Sequence, residues 1–126
     1  MKSAHDLVAE AKQQVHEIAV AEAEPVIRDA DVLIDVREVD EFHAGHIPGA
    51  INIPRGILEF MLGNTPELIA RDLKLVLYCK NSGRSALAAC SLQQMGYLQV
   101  QSIAGGFEAW CEAGKPQVKP ELPSFD

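Results

Sequence analysis

Short apolar runs rich in β-branched residues alternate along the chain with segments of helical periodicity. The two clearest runs are residues 31–36 (DVLIDV) and 75–78 (LVLY), and polar residues follow each of them. Short continuous apolar runs are typical of strands buried on both faces of a parallel sheet. The alternation therefore predicts an α/β fold, with a central, mostly parallel sheet covered by helices on both faces.

The same pattern predicts five strands, at residues 18–20, 31–36, 50–53, 75–78 and 100–103. An amphipathic helix is predicted over 4–15, with Ser3 as N-cap and Asp6 at the capping-box position. Further helices or helical turns are predicted at 21–28 (although Pro25 lies inside), 39–43, 54–62, 67–71, 84–95 and 107–113. We therefore divide the chain into an N-terminal helical extension (1–17), one domain (18–116) and an irregular, proline-containing tail (117–126).

Composition excludes several functional classes. The 126 residues carry 11 basic and 18 acidic side chains, a net charge of −7. A chain with this balance lacks the positive surface of a general nucleic-acid binder or of a protein that lies on anionic membranes. Three cysteines are an odd number and too few for a secreted disulfide scaffold. The charged N-terminal segment does not resemble a signal peptide, and no apolar run is long enough to span a membrane. We therefore expect a cytoplasmic protein with neither nucleic-acid nor membrane partners.

Chemistry is concentrated where the fourth predicted strand ends. Cys79 follows that strand directly, and the loop KNSG leads into a helix that begins near Arg84. Backbone N–H groups at a helix N-terminus attract negative charge, which favours the thiolate form of a cysteine held there. Lys80 and Arg84 add local positive charge, and Ser82 and Gly83 allow a tight turn. An inert cysteine buried at a strand end is the alternative; the small, polar and basic neighbours favour a reactive thiol.

The length of this loop indicates what it can hold. Cysteine-dependent phosphatases place five residues between the cysteine and an Arg-Ser pair, and that wide loop surrounds a phosphate. Four residues separate Cys79 from Arg84 here. The smaller cradle suits a single extra sulfur atom on Cys79 better than a phosphoryl group.

Three segments together resemble the single-domain members of the rhodanese family. They are DVLIDVREVDEFHAGHIPGAINIP, LVLYCKNSGRSALAA and GGFEAWCEAGKP, which occur in this order at normal separations. The resemblance covers residues 18–116. Many members read Cys-x-x-Gly-x-Arg-Ser in the loop, whereas Gly83 of this chain lies one position later and the loop length is unchanged.

The resemblance implies a rhodanese-like fold and sulfur transfer. The Cys79 thiolate would attack the sulfane sulfur of a small anionic donor such as thiosulfate, forming a persulfide that a thiophile, a thiol or an acceptor protein then discharges. Backbone N–H groups of residues 80–85 would hold the persulfide charge. No cofactor or metal is required. The residues expected to bind the donor are Lys80, Asn81, Ser82, Gly83, Arg84, Ser85, Arg37 and Arg55.

Other residues are assigned supporting roles. Asp35 is expected to brace the site with Arg37, as a structural ion pair or with Arg37 approaching the loop, while Glu38 and Glu41 form a solvated helix face. Arg55 is expected at the site mouth, beside an apolar rim or core segment. Cys90 is expected in the core, or as a resolving thiol. The residues of that rim are Leu58, Phe60 and Met61.

Two further hypotheses remain beside a sulfurtransferase. One is a persulfide carrier whose reaction needs a protein partner, and the other is a small cysteine phosphatase or arsenate reductase, which the four-residue spacer disfavours. His43 and His46 have a spacing that metal sites use, but no third ligand is suitably placed, so we expect no metal. The protein is expected to be a monomer or a homodimer, with the N-terminal helix on the sheet or at a dimer interface.

Overall fold

The computed structural model describes residues 1–119, which contain a five-stranded sheet with every pair of neighbouring strands parallel. The strands lie in the order β1-β5-β4-β2-β3. The prediction of an α/β fold with five mostly parallel strands is confirmed. Their bounds are β1 His16–Ile18, β2 Val32–Asp35, β3 Ile51–Asn52, β4 Lys74–Tyr78 and β5 Gln99–Ile103.

Helices lie in the connections between the strands, before β1 and after β5. They are α1 Ala4–Gln14, α2 Val20–Asp29, α3 Val39–Ala44, α4 Leu58–Asn64, α5 Gly83–Gln94 and α6 Gly106–Glu112, with 3-10 turns at Arg55–Ile57 and Pro66–Leu68. The capping box at the start of α1 is present, because Ser3 and Asp6 each accept a hydrogen bond from the other's backbone N–H. Pro25 lies within α2 without ending it.

Strand β4 shows how the sheet is buried on both faces. Leu75, Leu77 and Cys79 pack into one core with α4 and α5, whereas Val76 and Tyr78 pack into a second core with α2 and α6. Side chains of a strand point alternately to opposite faces, so one residue step separates the two cores. The thiol of Cys79 is thereby directed to the side of the sheet that α5 covers.

The N-terminal helix is packed onto this unit. Ala11 of α1 is buried, and α1 lies along α5. Gly83, the first residue of α5, has the Val8 side chain next to it. Strand β1 begins at His16 and pairs with β5, so the last two residues that the sequence assigned to an extension belong to the sheet.

The predicted tail is partly ordered. Val118 forms an antiparallel bridge with His46, through two backbone hydrogen bonds of 2.8 Å. The Trp110 indole N–H donates to the carbonyl of Pro116 at 2.6 Å. Residue 118 was predicted to be irregular; these contacts hold it against the turn after α3. The remainder of the predicted tail, 120–126, lies outside the described residues.

Candidate active site

Cys79 lies at the point where β4 ends and the loop to α5 begins, and its side chain is fully buried. Two backbone N–H groups donate to its sulfur, Ser82 N at 3.0 Å and Ser85 N at 3.4 Å. The Ser85 hydroxyl is 3.5 Å from the same sulfur. A cysteine that only fills a core has no need of converging amide donors. The loop is therefore arranged to stabilise negative charge on this sulfur.

The loop achieves this arrangement through an unusual backbone at Ser82. Its φ is 94°, and among residues 1–119 it is the one non-glycine residue with positive φ. The Ser82 N–H itself donates to Cys79, so the left-handed residue lies where the loop closes on the sulfur. The positive φ falls where many family members carry glycine, three residues after the cysteine, while Gly83 is simply the first residue of α5. Local strain of this kind is concentrated at functional sites.

Helix α6 forms the other wall of the loop. Phe107 N donates to the carbonyl of Cys79 at 2.8 Å, and Glu108 N donates to the carbonyl of Lys80 at 3.0 Å. A methyl group added at Gly106 would lie 2.5 Å from the Cys79 carbonyl oxygen. Glycine at this position therefore allows α6 to approach the backbone of the active-site loop closely.

The basic residues of the loop are engaged by carboxylates. Arg84 forms a bidentate pair with Glu41 of α3, at 2.6 and 2.9 Å. This hydrogen bond lowers the pKa of Glu41 to about 2 and raises the pKa of Arg84. Lys80 lies 3.7 Å from Glu108, with both side chains largely exposed. The expectation that Glu41 is merely solvated is wrong, and much of the positive charge expected at the loop is already neutralised.

Asp35 and Arg37 form a buried structural pair. The Arg37 Nη2 lies 2.7 Å from Asp35 Oδ2, and a further bond of 2.7 Å goes to the carbonyl of Gly45. Burial alone would lower the pKa of Arg37, but the hydrogen bond and charge of Asp35 raise it. The Arg37 guanidinium also lies over the Phe107 ring, at 4.4 Å. The hydrogen-bond donors of Arg37 thus hold together the protein framework beside α6. Of the two alternatives for Asp35 and Arg37, this is the structural ion pair.

Comparison with known proteins decides the family. A sequence model of the Rhodanese-like domain matches residues 12–113. The chain belongs to the rhodanese-like family. The fold, with its parallel sheet and a cysteine at the end of a central strand, agrees with this assignment.

Relatives of this rhodanese-like chain include bacterial proteins with and without a described function. An uncharacterized protein of Bacillus subtilis is 42% identical over 69% of the chain, and the match spans 64% of that relative. A sulfurtransferase of Allochromatium vinosum is 34% identical over 71% of the chain and 80% of the relative. A solved structure from Rhodopseudomonas palustris, described as of unknown function and a possible tyrosine phosphatase, is 34% identical with a TM-score of 0.83; the match covers 92% of this chain and 94% of that one.

Lys12, the first residue of the rhodanese-like match, was not predicted as a site residue. Its ammonium group donates to the Ser82 hydroxyl at 2.8 Å. Seventy positions separate the two residues. The only signal in the sequence is the helix that carries Lys12, and periodicity cannot show which part of the domain that helix meets.

The hydrogen bonds of the Arg55 side chain go to α4 and not to the cysteine loop. Arg55 pairs with Glu59 of α4 at 2.9 Å and lines a cavity between α1 and α5 together with Cys90 and Ser91. Leu58 is buried in the core, which is the second of the two alternatives given for this residue. The rim residues Phe60 and Met61 are exposed.

The remaining cysteines and histidines have other surroundings. Cys79, Cys90 and Cys111 are all free thiols, and burial raises the pKa of Cys111. The His46 ring stacks on Phe42 at 3.7 Å. Within residues 1–119 no three His, Cys, Asp or Glu side chains are grouped as metal ligands. In the same part of the chain, no helix has the length and apolar character needed to cross a bilayer.

Proposed function

We propose that the protein is a sulfurtransferase that carries sulfane sulfur as a persulfide on Cys79. The observation that carries the proposal is the pair of N–H donors, from Ser82 and Ser85, that converge on the Cys79 sulfur within a four-residue loop. Membership of the rhodanese-like family and a relative named as a sulfurtransferase support it.

The first half of the reaction loads the cysteine. The Cys79 thiolate attacks the outer sulfur of thiosulfate, a sulfur–sulfur bond forms, and the bond inside thiosulfate breaks with its electron pair leaving on sulfite. The negative charge then resides on the outer persulfide sulfur. Backbone N–H groups of the loop stabilise this charge without reorganisation, as they would in an oxyanion hole.

The second half returns the enzyme to its starting state. A thiophile such as cyanide attacks the outer sulfur, thiocyanate leaves, and the electron pair of the broken bond restores the Cys79 thiolate. The cycle as written begins and ends with the Cys79 thiolate, so it consumes no cofactor. In the cell the acceptor would be a thiol or an acceptor protein.

Steady-state kinetics with thiosulfate and cyanide test the proposal. We expect ping-pong turnover in the wild type and loss of turnover to the uncatalysed level in Cys79→Ser, with Cys90→Ser as the matched control that keeps its activity. Loading of a single sulfur without turnover would instead identify a persulfide carrier that needs a protein partner. Turnover retained by Cys79→Ser would contradict the proposal.

A cysteine phosphatase is the second candidate, because the similar Rhodopseudomonas palustris structure is described as a possible tyrosine phosphatase. Two observations favour sulfur transfer over it. Only four residues separate Cys79 from Arg84. Both terminal nitrogens of Arg84 are bonded to Glu41, so they are not directed to a phosphate. Hydrolysis of an aryl phosphate, or reduction of arsenate, that disappears in Cys79→Ser would favour the second candidate.

A further inference from the structure

We propose that Lys12 of helix α1 is a specificity-determining residue, which selects doubly charged sulfur donors for the Cys79 loop. The inference rests on the proposed function, and it assigns to α1 a part of the site. Its starting point is the hydrogen bond of 2.8 Å from the Lys12 ammonium to the hydroxyl of Ser82.

Ser82 connects Lys12 to the reacting sulfur. Its side chain accepts from Lys12, and its backbone N–H donates to Cys79 Sγ at 3.0 Å. The residue is almost fully buried and has the left-handed backbone that glycine would adopt more easily. Serine at this strained position provides a hydroxyl that glycine lacks, and that hydroxyl holds Lys12 beside the loop.

Lys12 is also the cation best placed to meet a substrate. Arg84 is bound at both terminal nitrogens by Glu41, and Lys80 is largely exposed beside Glu108, where solvent screens it. Lys12 is less exposed than Lys80, and although it faces Glu17 at 3.8 Å, much as Lys80 faces Glu108, its ammonium group donates to the neutral Ser82 hydroxyl of the loop itself. An ammonium group has three donors, so the bond to Ser82 leaves capacity for an anion.

An open cleft beside Lys12 provides room for that anion. Its volume is about 420 Å³, and it lies between α1 and the active-site loop. His5, Val8 and Lys12 line one side, and Asn81 and Gly83 line the other. A small anionic donor in this cleft would lie against Lys12 and the loop at the same time.

The charge of the reactants explains why a cation matters here. Thiolate and thiosulfate are both anions, and the attack brings the two negative charges together at the Cys79 loop. A fixed positive charge offsets this repulsion, and its effect grows in proportion to the charge of the donor. Lys12 should therefore contribute more to the reaction of a dianion than to that of a monoanion.

The test compares thiosulfate, a dianion, with benzenethiosulfonate, a monoanion, in the full-length protein. In ping-pong kinetics, kcat/KM for the donor isolates the loading step. For Lys12→Met we expect this constant to fall about tenfold with thiosulfate and about threefold with benzenethiosulfonate, since the coulombic contribution scales with charge. Lys12→Arg should restore most of the loss. Lys2→Met, which removes the same charge from the exposed N-terminus, is the control.

The outcomes separate this inference from the proposed function. Equal losses of kcat/KM with the two donors would assign Lys12 a purely structural role. They would overturn the inference that Lys12 selects doubly charged donors. Kinetics of Lys12→Met that match those of Lys2→Met would overturn it as well, while sulfur transfer itself stands. A wild-type protein that mass spectrometry shows to gain no sulfur from either donor would overturn the proposed function, and this inference with it.

Discussion

Substitution of Gly106 by alanine should destabilise the protein by disturbing the active-site loop from the side of α6. Gly106 has a φ of +59°, a conformation that costs an L-residue about 1–2 kcal/mol. The added methyl group would also lie 2.5 Å from the Cys79 carbonyl oxygen and 2.7 Å from the Lys80 carbonyl carbon. Both neighbours are backbone atoms, which cannot rotate away as a side chain could.

Relief of this overlap requires the loop or α6 to move, and overpacking of this kind costs about 1–3 kcal/mol. The movement also threatens the hydrogen bonds from Phe107 N and Glu108 N to the loop carbonyls. We therefore expect Gly106→Ala to lower the free energy of unfolding by about 2–5 kcal/mol, the sum of the conformational and packing costs. Equilibrium unfolding in urea measures this change.

Gly114→Ala is the matched control. Its φ is +73°, but an added methyl group would have no atom within 4 Å, so only the conformational cost of about 1–2 kcal/mol applies. The difference between the two variants isolates the close approach of α6 to the loop. Equal destabilisation of both variants would refute the argument that this approach requires glycine.

Two further predictions concern the charged pairs. Asp35→Asn removes the charge partner of buried Arg37, so the free energy of unfolding should fall by about 3 kcal/mol. The control is the exposed Asp40→Asn, which should change the free energy of unfolding by less than about 0.5 kcal/mol. Similar urea midpoints for the two variants would contradict this prediction. Glu41 has its pKa lowered to about 2 by Arg84, so its stabilisation is complete above the ordinary carboxyl pKa and is lost as pH falls from there toward 2. Because the Glu41–Arg84 pair is partly exposed, we expect it to contribute about 1 kcal/mol to the free energy of unfolding. Glu41→Gln should flatten that part of the curve of stability against pH. An unchanged curve would contradict the stabilising role of the pair.

Features that depend on neighbouring residues could be predicted from the sequence. The strand, Cys79, the loop and the helix follow one another directly in the chain. Their order therefore places the thiol at the carboxyl end of a strand in a parallel sheet. The capping box of Ser3 and Asp6 is local in the same sense, because its partners are only three positions apart.

Contacts between distant segments could not be predicted in this way. Glu41 and Arg84 are 43 positions apart, and Lys12 and Ser82 are 70 positions apart. Polarity marks Glu41 as a surface residue, but it does not show that α3 brings it to the loop. The electrostatics of the site thus depend on tertiary packing: the sequence predicts positive charge at Lys80 and Arg84, but it does not show that Glu108 and Glu41 pair with them.

The backbone of the loop is a third case. The sequence predicts a tight turn at Ser82 and Gly83 together, and the left-handed conformation occurs at Ser82. Ser82 is the N-cap of α5, directly before the first helical residue, and its N–H and that of Ser85 within the helix both donate to Cys79. The preference of glycine for positive φ would by itself favour Gly83, so the choice of Ser82 follows from the geometry of the strand–helix junction.

Mass spectrometry of the protein after treatment with thiosulfate tests the central claim most directly. The peptide that contains Cys79 should gain the mass of one sulfur atom, and cyanide should remove it. The gain should be absent in Cys79→Ala and unchanged in Cys90→Ala. A sulfur found on Cys90 or Cys111, or no gain on any peptide, would contradict the account.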